Sequence, residues 1–159
     1  SNHVLNLRKI KAIADYQFGP VISNLLLDDM KKIEIELSKN TNKIRHVFYD
    51  GELFLNLRPR NGLFTLTFLA AQKIIYNVPP PRLRVVVQNN ISKFIQKGRN
   101  VFCKHVVNLD TTLRPRDETI VVNENDELLA LGRLKLPITH VLWFKRGIAV
   151  DVRKGILSS

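Results

Sequence analysis

The chain has 159 residues, of which 45% are hydrophobic, a length and composition suited to one large domain or two small ones with packed cores. Its formal net charge of +11 attracts polyanions, so nucleic acid is the first expected partner and an anionic membrane surface the second. The single cysteine, Cys103, excludes an internal disulfide and a cysteine-cluster zinc site and fits a cytoplasmic location, and no stretch approaches the roughly 18 apolar residues of a membrane span.

The first predicted element is a helix over "VLNLRKIKAIADYQF", residues 4–18, because apolar residues recur there at helical spacing. Its buried face consists of Leu7, Ile10 and Ala14. Gly19 and Pro20 predict the end of the helix. After a loop, "KIEIELSK" alternates apolar residues with Glu34 and Glu36, which predicts a half-buried strand.

The clearest local signal is "IRHVFYDGELFLNL", in which Asp50 and Gly51 form the central pair of a type I′ hairpin turn. Folding about this turn predicts six side chains on one face of the hairpin. The predicted cross-strand pairs are Phe48 with Leu53, His46 with Leu55 and Ile44 with Leu57. The later part of "LFTLTFLAAQKIIYNV" predicts a helix, so residues 1–78 are expected to form an α+β domain with an antiparallel sheet of about three strands covered by helices.

Three consecutive prolines, Pro79 to Pro81, follow this helix. Proline cannot continue a helix or donate to a sheet, so the run predicts a short, stiff and extended connector. The domain boundary is therefore placed at the prolines, and the second domain is predicted over residues 82–157.

The second domain is predicted as a small mixed β-barrel. Its five expected strands lie in "RLRVVVQ", "NVFCKHVVNL", "ETIVVNE", "ELLALGRLKL" and "GIAVDVRKG", with turns at Arg114-Pro115-Arg116-Asp117 and at Asn125-Asp126. The expected helix lies in "NISKFIQK", with Asn90 as its N-cap and Gly98 beyond its C-terminus at positive φ.

The cations are concentrated in this second domain, since residues 81–159 hold 14 Lys and Arg against 7 Asp and Glu. Between residues 82 and 116 only Asp110 opposes them. The cations of this run are Arg82, Arg84, Lys93, Lys97, Arg99, Lys104, Arg114 and Arg116. Such a one-signed run predicts a nucleic-acid surface. The alternative at "FIQKGRNVF" is that Lys97 and Arg99 only offset the negative end of the helix dipole.

No catalytic site, metal site or cofactor is predicted. The four histidines are not at metal-ligand spacing, and the sequence contains no phosphate-binding loop, no dinucleotide motif and no nucleophile paired with a base. We expect His46 to be a buried, hydrogen-bonded histidine and Cys103 to be a buried structural thiol. The sequence therefore predicts a binding protein that is not an enzyme in its own right.

The second half resembles a known RNA-binding family. "FIQKGRNVFCKHVVNLDTTLRPRDETIVVNENDELLALGRLKL" followed by "FKRGIAVDVRKGI" is similar to a PUA domain, the small RNA-binding barrel of pseudouridine synthases and archaeosine transglycosylases. In the first half, "LRKIKAIADYQFG", "KIRHVFYDGELFLNLRPRNGLFTLT" and "PPPRLRVVV" resemble the segment before the PUA domain in archaeal tRNA-guanine transglycosylases. The resemblance covers nearly the whole chain.

The resemblance implies that the chain binds tRNA. In this family a large barrel domain, with catalytic aspartates and a zinc site, exchanges guanine-15 in the D-arm of tRNA for preQ0 on the way to archaeosine. Such a barrel needs at least ~200 residues, which this chain does not have. We therefore expect a non-catalytic tRNA-binding part that acts with a separately encoded catalytic transglycosylase subunit, or a part cut from a longer protein.

The resemblance also implies where RNA binds, because the PUA domain of this family holds the acceptor stem and the 3′ CCA end. The implied RNA-binding residues are Lys97, Gly98, Arg99, Asn100, Lys104, Lys145, Arg146 and Arg153. Four aromatic residues could stack on the CCA end, although core positions are the expected alternative in a small barrel. They are Phe94, Phe102, Trp143 and Phe144.

Three alternative functions stay open at this point. The chain could be the PUA-bearing module of an archaeosine synthase or of another RNA-modification enzyme. It could also be a ribosome-assembly or translation factor.

Overall fold

A computed structural model describes residues 2–158, which divide into two compact units between Asn77 and Val78. The first unit contains, in chain order, α1 (Asn2–Phe18), α2 (Pro20–Leu26), β1 (Ile33–Leu37), β2 (Ile44–Tyr49), β3 (Glu52–Leu57), β4 (Phe64–Leu66) and α3 (Phe68–Asn77). The four strands form one antiparallel sheet in the order β1-β2-β3-β4. The predicted α+β class is confirmed, with one strand more than expected.

The predicted stop after α1 is confirmed, but a second helix follows at once. Gly19 has a φ of 83°, which breaks α1, and Pro20 occupies the first turn of α2. Proline suits that place because its missing N–H would have no partner there. The same two residues therefore end one helix and start the next, which the sequence pattern did not separate.

The predicted hairpin turn is confirmed, since Asp50 and Gly51 both have positive φ, at 51° and 82°. Phe48 lies opposite Leu53, as predicted. A β-bulge at Phe54 then shifts the register by one residue, so that His46 lies opposite Asn56. The predicted pair of His46 with Leu55 is therefore wrong, and so is the single shared face. His46 is half-buried and its Nδ1 lies 2.6 Å from Oδ1 of Asn56.

The second unit contains eight further elements. These are β5 (Arg84–Val87), α4 (Ser92–Gln96), β6 (Val101–Phe102), β7 (Val106–Leu109), β8 (Glu118–Asn123), β9 (Leu128–Leu134), α5 (Ile138–Trp143) and β10 (Ile148–Gly155). The strand order is β6-β10-β9-β8-β5-β7, and β5 and β8 are the parallel pair. A 3₁₀ turn over Cys103–His105 is all that separates the two outer strands along the chain. The sheet is therefore nearly closed, and the predicted mixed barrel is confirmed.

Three details of the second unit differ from expectation. The predicted strand "NVFCKHVVNL" is interrupted by the Cys103–His105 turn, which lets its two parts join opposite edges of the sheet. The helix α5 was not predicted because its sequence is apolar on both faces. Within the expected helix, Asn90 caps nothing with its side chain, because the first residues form a 3₁₀ turn.

The proline run is a turn and not the extended connector that was predicted. Residues 80–83 form the turn, and the N–H of Arg84 donates to the carbonyl of Pro81 at 2.8 Å. Leu83 adopts a φ of 64° within it. This turn places Arg82 and Arg84 at the start of β5.

The barrel core is built on β5 and β8, whose apolar residues are buried on both faces of the sheet, as is usual for parallel neighbours. Cys103 is fully buried, as expected, and burial raises the pKa of its thiol. In the part of the chain described, no helix is both long enough and apolar enough to cross a membrane.

Candidate nucleic-acid interface

The turn after α4 contains four consecutive residues that were predicted to bind RNA, Lys97 to Asn100. Gly98 has a φ of 102°, and its N–H donates to the carbonyl of Ile95 at 2.9 Å. The N–H of Arg99 donates to the carbonyl of Phe94 at 3.2 Å, which closes the helix end. The predicted helix-ending role of Gly98 is confirmed. The side chains of Lys97 and Arg99 are exposed on either side of it.

This turn rests on the end of β10. A Cβ atom on Gly155 would lie 2.3 Å from the carbonyl oxygen of Gln96 and 2.5 Å from the backbone nitrogen of Gly98. The two backbones therefore touch where no side chain fits. The N–H of Leu157 donates to Gln96 at 2.8 Å, and Oδ1 of Asn100 accepts from the N–H of Val152 at 2.9 Å. Asn100, a predicted RNA-binding residue, thus has a structural bond that fixes the turn to β10.

Two of the predicted RNA-binding arginines are held by carboxylates within the barrel. Arg84 is fully buried, and its Nε and Nη2 donate to the carboxylate of Asp126 at 3.2 and 2.9 Å. Arg153 donates to both oxygens of the buried Glu118 at 2.7 and 2.6 Å. These are bidentate pairs, and each carboxylate cancels the charge of its arginine. Arg84 offers no surface to a ligand.

Arg82 is tied to the one acid of the basic run. Its Nη1 donates to Asp110 at 2.9 Å, and the same carboxylate accepts from the N–H of Leu83 at 2.7 Å and from the N–H and hydroxyl of Thr112 at 2.9 and 2.7 Å. Burial alone would raise the pKa of the Asp110 carboxyl, but these donors together hold its pKa below the usual value. The pair joins the start of β5 to the end of β7.

The other predicted cations are exposed and have no ion pair among residues 2–158. They are Lys93, Lys97, Arg99, Lys104, Arg114, Arg116, Lys145 and Arg146. Lys93, Lys97 and Arg99 share α4 and its terminal turn. Lys104 belongs to a second group with Lys145 and Arg146, because the N–H of Cys103 donates to the carbonyl of Gly147 at 2.9 Å. Arg114 and Arg116 lie on the confirmed turn before β8, where the N–H of Arg116 donates to Leu134 at 2.7 Å.

The four aromatic residues are on the surface. Their exposed fractions are 59% for Phe94, 46% for Phe102, 81% for Trp143 and 68% for Phe144. The expected core positions are therefore wrong for all four. Exposed rings beside unpaired cations are what a nucleic-acid surface uses to stack bases and hold phosphates.

An open groove runs beside α4 and was not predicted. Its lining includes Asn89, Asn90, Lys93, Phe94, Lys97 and Asn125. Amide side chains can donate to and accept from the edges of bases. The paired asparagines of "QNNIS" are visible in the sequence. They line a groove only because the β8–β9 loop folds next to them, which the sequence pattern does not show.

Within residues 2–158, no three side chains of His, Cys, Asp or Glu are placed to hold a metal ion. The surface described above offers cations, amides and aromatic rings, which bind ligands through charge, hydrogen bonds and stacking.

Two family models match the chain in succession. The patch-forming domain C2 of tRNA-guanine transglycosylase matches residues 8–81, and the PUA domain matches residues 83–156. The tRNA-guanine(15) transglycosylase of Thermococcus kodakarensis is 39% identical over 147 residues, and that of Methanosphaera stadtmanae is 39% identical over 152 residues. These alignments cover 92% and 95% of this chain but 25% and 23% of the relatives. The chain thus spans about a quarter of the length of the curated relatives it matches.

Solved structures share the fold. A hypothetical protein from Pyrococcus horikoshii matches with a TM-score of 0.78 at 21% identity, covering 97% of this chain and 92% of that one. A conserved PUA domain protein from Thermoplasma acidophilum matches with a TM-score of 0.62 at 19% identity, covering 91% and 89%. At these identities the likeness concerns the fold alone.

Proposed function

Because this chain belongs to the family of the C2 domain of tRNA-guanine transglycosylase and carries a PUA domain directly after it, we propose that it is a non-catalytic tRNA-binding module. It holds the acceptor stem and the 3′ CCA end of tRNA. In doing so it positions the tRNA for a separately encoded catalytic transglycosylase subunit, which exchanges guanine-15 of the D-loop for preQ0.

The observation that carries the proposal is the difference between two sets of cations on the barrel. Arg84 and Arg153 are neutralised by carboxylates, whereas Lys97 and Arg99 stand exposed beside Gly98 without an ion pair among the described residues. Only cations of the second kind can neutralise phosphates and release their counterions.

The rigidity of the turn supports the same function. Gly98 lies directly against Gly155, so the backbone that carries Lys97 and Arg99 cannot shift without moving β10. RNA stems are recognised mainly through their phosphates and shape, and this requires cations at fixed positions. A flexible basic loop would bind polyanions but would not hold a tRNA in one orientation.

The test is a titration of labelled tRNA with the whole chain at several salt concentrations. We expect the affinity to fall steeply with salt, each phosphate contact adding about 0.7 to 0.9 to the slope of log K against log salt. Arg99→Ala should lower this slope by about one contact and leave the melting curve unchanged. A tRNA without its 3′ CCA should bind more weakly, and Arg99→Ala should lose part of that difference.

Arg133→Ala is the matched control, because it removes one exposed arginine from β9 of the same unit. Affinity that does not change between low and moderate salt would overturn the proposed function. If Arg99→Ala behaves like Arg133→Ala, Arg99 serves only to end the helix.

A further inference from the structure

Two aromatic side chains at the end of α5 are exposed to solvent. Val141 is 1% exposed and anchors the helix, whereas Trp143 and Phe144 are the most exposed aromatic residues of the second unit. The N–H of Phe144 donates to the carbonyl of His140 at 3.0 Å, and the two rings lie 5.2 Å apart between centroids. Nε2 of His140 lies 3.1 Å from the carbonyl oxygen of Arg146. The rings are thus presented by an ordered helix end and its following turn.

A second chain segment brings a third aromatic residue to the same place. Phe102 lies opposite Ile148 in the β6–β10 pair, and the next residue, Cys103, bonds to the carbonyl of Gly147 at 2.9 Å. The Cys103–His105 turn contacts α5. We call Phe102, Trp143 and Phe144, with Lys104, Lys145 and Arg146, the aromatic patch.

The two chain segments that carry the aromatic patch have charge of one sign. Neither residues 85–109 nor residues 128–150 contain an Asp or a Glu. Lys104, Lys145 and Arg146 are exposed, and none of them has an ion pair in the part of the chain described. A ligand that covers the aromatic patch must therefore offer both flat apolar faces and negative charge.

We propose that the aromatic patch binds unpaired nucleotides of RNA, whose bases stack on Trp143 and Phe144 while the phosphates lie against Lys145, Arg146 and Lys104. Single-stranded nucleic acid supplies a ring face and a negative charge at every residue, in the combination that the patch requires. A base-paired stem supplies only the charge, because its ring faces are already stacked within the helix. The inference rests on the proposed function and adds to it a contact separate from the Gly98 turn.

Trp143 is the only tryptophan of the chain, so its emission reports on the aromatic patch directly. The experiment titrates the whole chain with a single-stranded RNA of about six nucleotides, and separately with a blunt-ended RNA duplex. Single-stranded RNA should quench the emission through stacking, whereas the duplex should bind with little quenching.

Affinity measurements on variants separate stacking from charge. Trp143→Ala should weaken binding of the single strand about 5- to 150-fold with an unchanged salt slope, because stacking releases no counterions. Trp143→Phe should retain most of the affinity. Lys145→Ala should instead lower the salt slope by about 0.7. Tyr76→Ala is the matched control, since it removes a ring of similar exposure, 79%, from the first unit.

The outcomes distinguish this inference from the proposed function. If tRNA binds with steep salt dependence, but Trp143→Ala binds single-stranded RNA as the unmodified chain does, the inference is overturned and the proposed function stands. If no RNA binds at all, both are overturned. Quenching by phosphatidylserine vesicles or by an acidic peptide, without a response to single-stranded RNA, would assign the aromatic patch to another partner and overturn the inference.

Discussion

At the scale of single residues, the carboxyl of Asp110 organises one corner of the barrel. It is 5% exposed and accepts four hydrogen bonds, from Arg82, Leu83 and both donors of Thr112. A buried carboxylate is stable only when donors replace the water it has lost. Asp110 is therefore a structural acid, although in the sequence it is only the lone negative charge of a basic run.

Asp110→Asn should make the stability of the protein less dependent on acid. The pKa of Asp110 is lowered in the folded state, so its contribution is complete above the ordinary aspartate value of 3.8 and is lost as the pH falls through the lower folded pKa. The variant should be less stable by about 1.5 to 3 kcal/mol at pH 7, since its charged hydrogen bonds are weakened. Urea unfolding between pH 7 and pH 2.5 measures the difference between the two proteins.

Thr112→Val is the control for this measurement, because it removes one donor and keeps the carboxylate. It should reduce stability at pH 7 by about 1 kcal/mol and remove only part of the acid dependence. Parallel curves for Asp110→Asn and the unmodified protein would contradict the assigned role of Asp110.

The sequence could not predict which arginines would be buried in ion pairs and which would be exposed. Arg84 and Arg99 both lie in the same basic run, yet one is fully buried against Asp126 and the other is exposed. The partner of Arg84 lies 42 residues away and meets it only when the barrel closes. Charge and composition could predict a cationic surface, but they could not show which cations it would include.

At the scale of elements, the contact between the end of β10 and the turn after α4 fixes the backbone positions of the exposed Lys97 and Arg99. Gly155→Ala should destabilise the second unit by about 3 kcal/mol or more, because the new methyl group would overlap backbone atoms of Gln96 and Gly98. Neither neighbour is a flexible side chain that could move aside. Urea unfolding followed by circular dichroism measures the loss.

Gly147→Ala in the same unit separates overlap from backbone strain. Gly147 has a φ of 84°, and the atom nearest to an added Cβ is the end of the Leu136 side chain at 3.5 Å. Only strain opposes this change, so the expected loss is about 1 to 2 kcal/mol. Equal losses for the two variants would show that the Gly155 contact is looser than the structure indicates.

The elements themselves could largely be predicted, because periodicity and turn residues are local signals. The Asp50-Gly51 turn and the strand β8 followed from such signals. The bulge at Phe54 did not, because "ELFLNL" gives no local sign of an extra residue and the shift is visible only when the two strands are paired. The helix α5 was not predicted either. Its exposed side includes the apolar Trp143, so its sequence does not alternate between an apolar and a polar face.

At the scale of the whole molecule, the chain should exchange no base by itself. The proposed function predicts this result, since the chain matches a C2 domain and a PUA domain and spans about a quarter of the length of its curated relatives. Incubation of the purified chain with tRNA and labelled guanine should give incorporation equal to that of a blank without protein. The tRNA-guanine(15) transglycosylase of Thermococcus kodakarensis is the positive control. Incorporation above the blank would show that the chain holds a catalytic site of its own.

The strand orders of the two sheets have a consequence for the time course of folding. In the first sheet every strand pairs with its neighbour along the chain, so it can assemble through local hairpins. In the second, β10 lies between β6 and β9, and the barrel cannot close until this last strand is in place. Since the N-terminal part of a chain leaves the ribosome first, the first unit should fold early and the barrel late. The Gly98 turn becomes rigid only when Gly155 arrives, so a nascent chain should bind RNA through this turn only after β10 has left the ribosome.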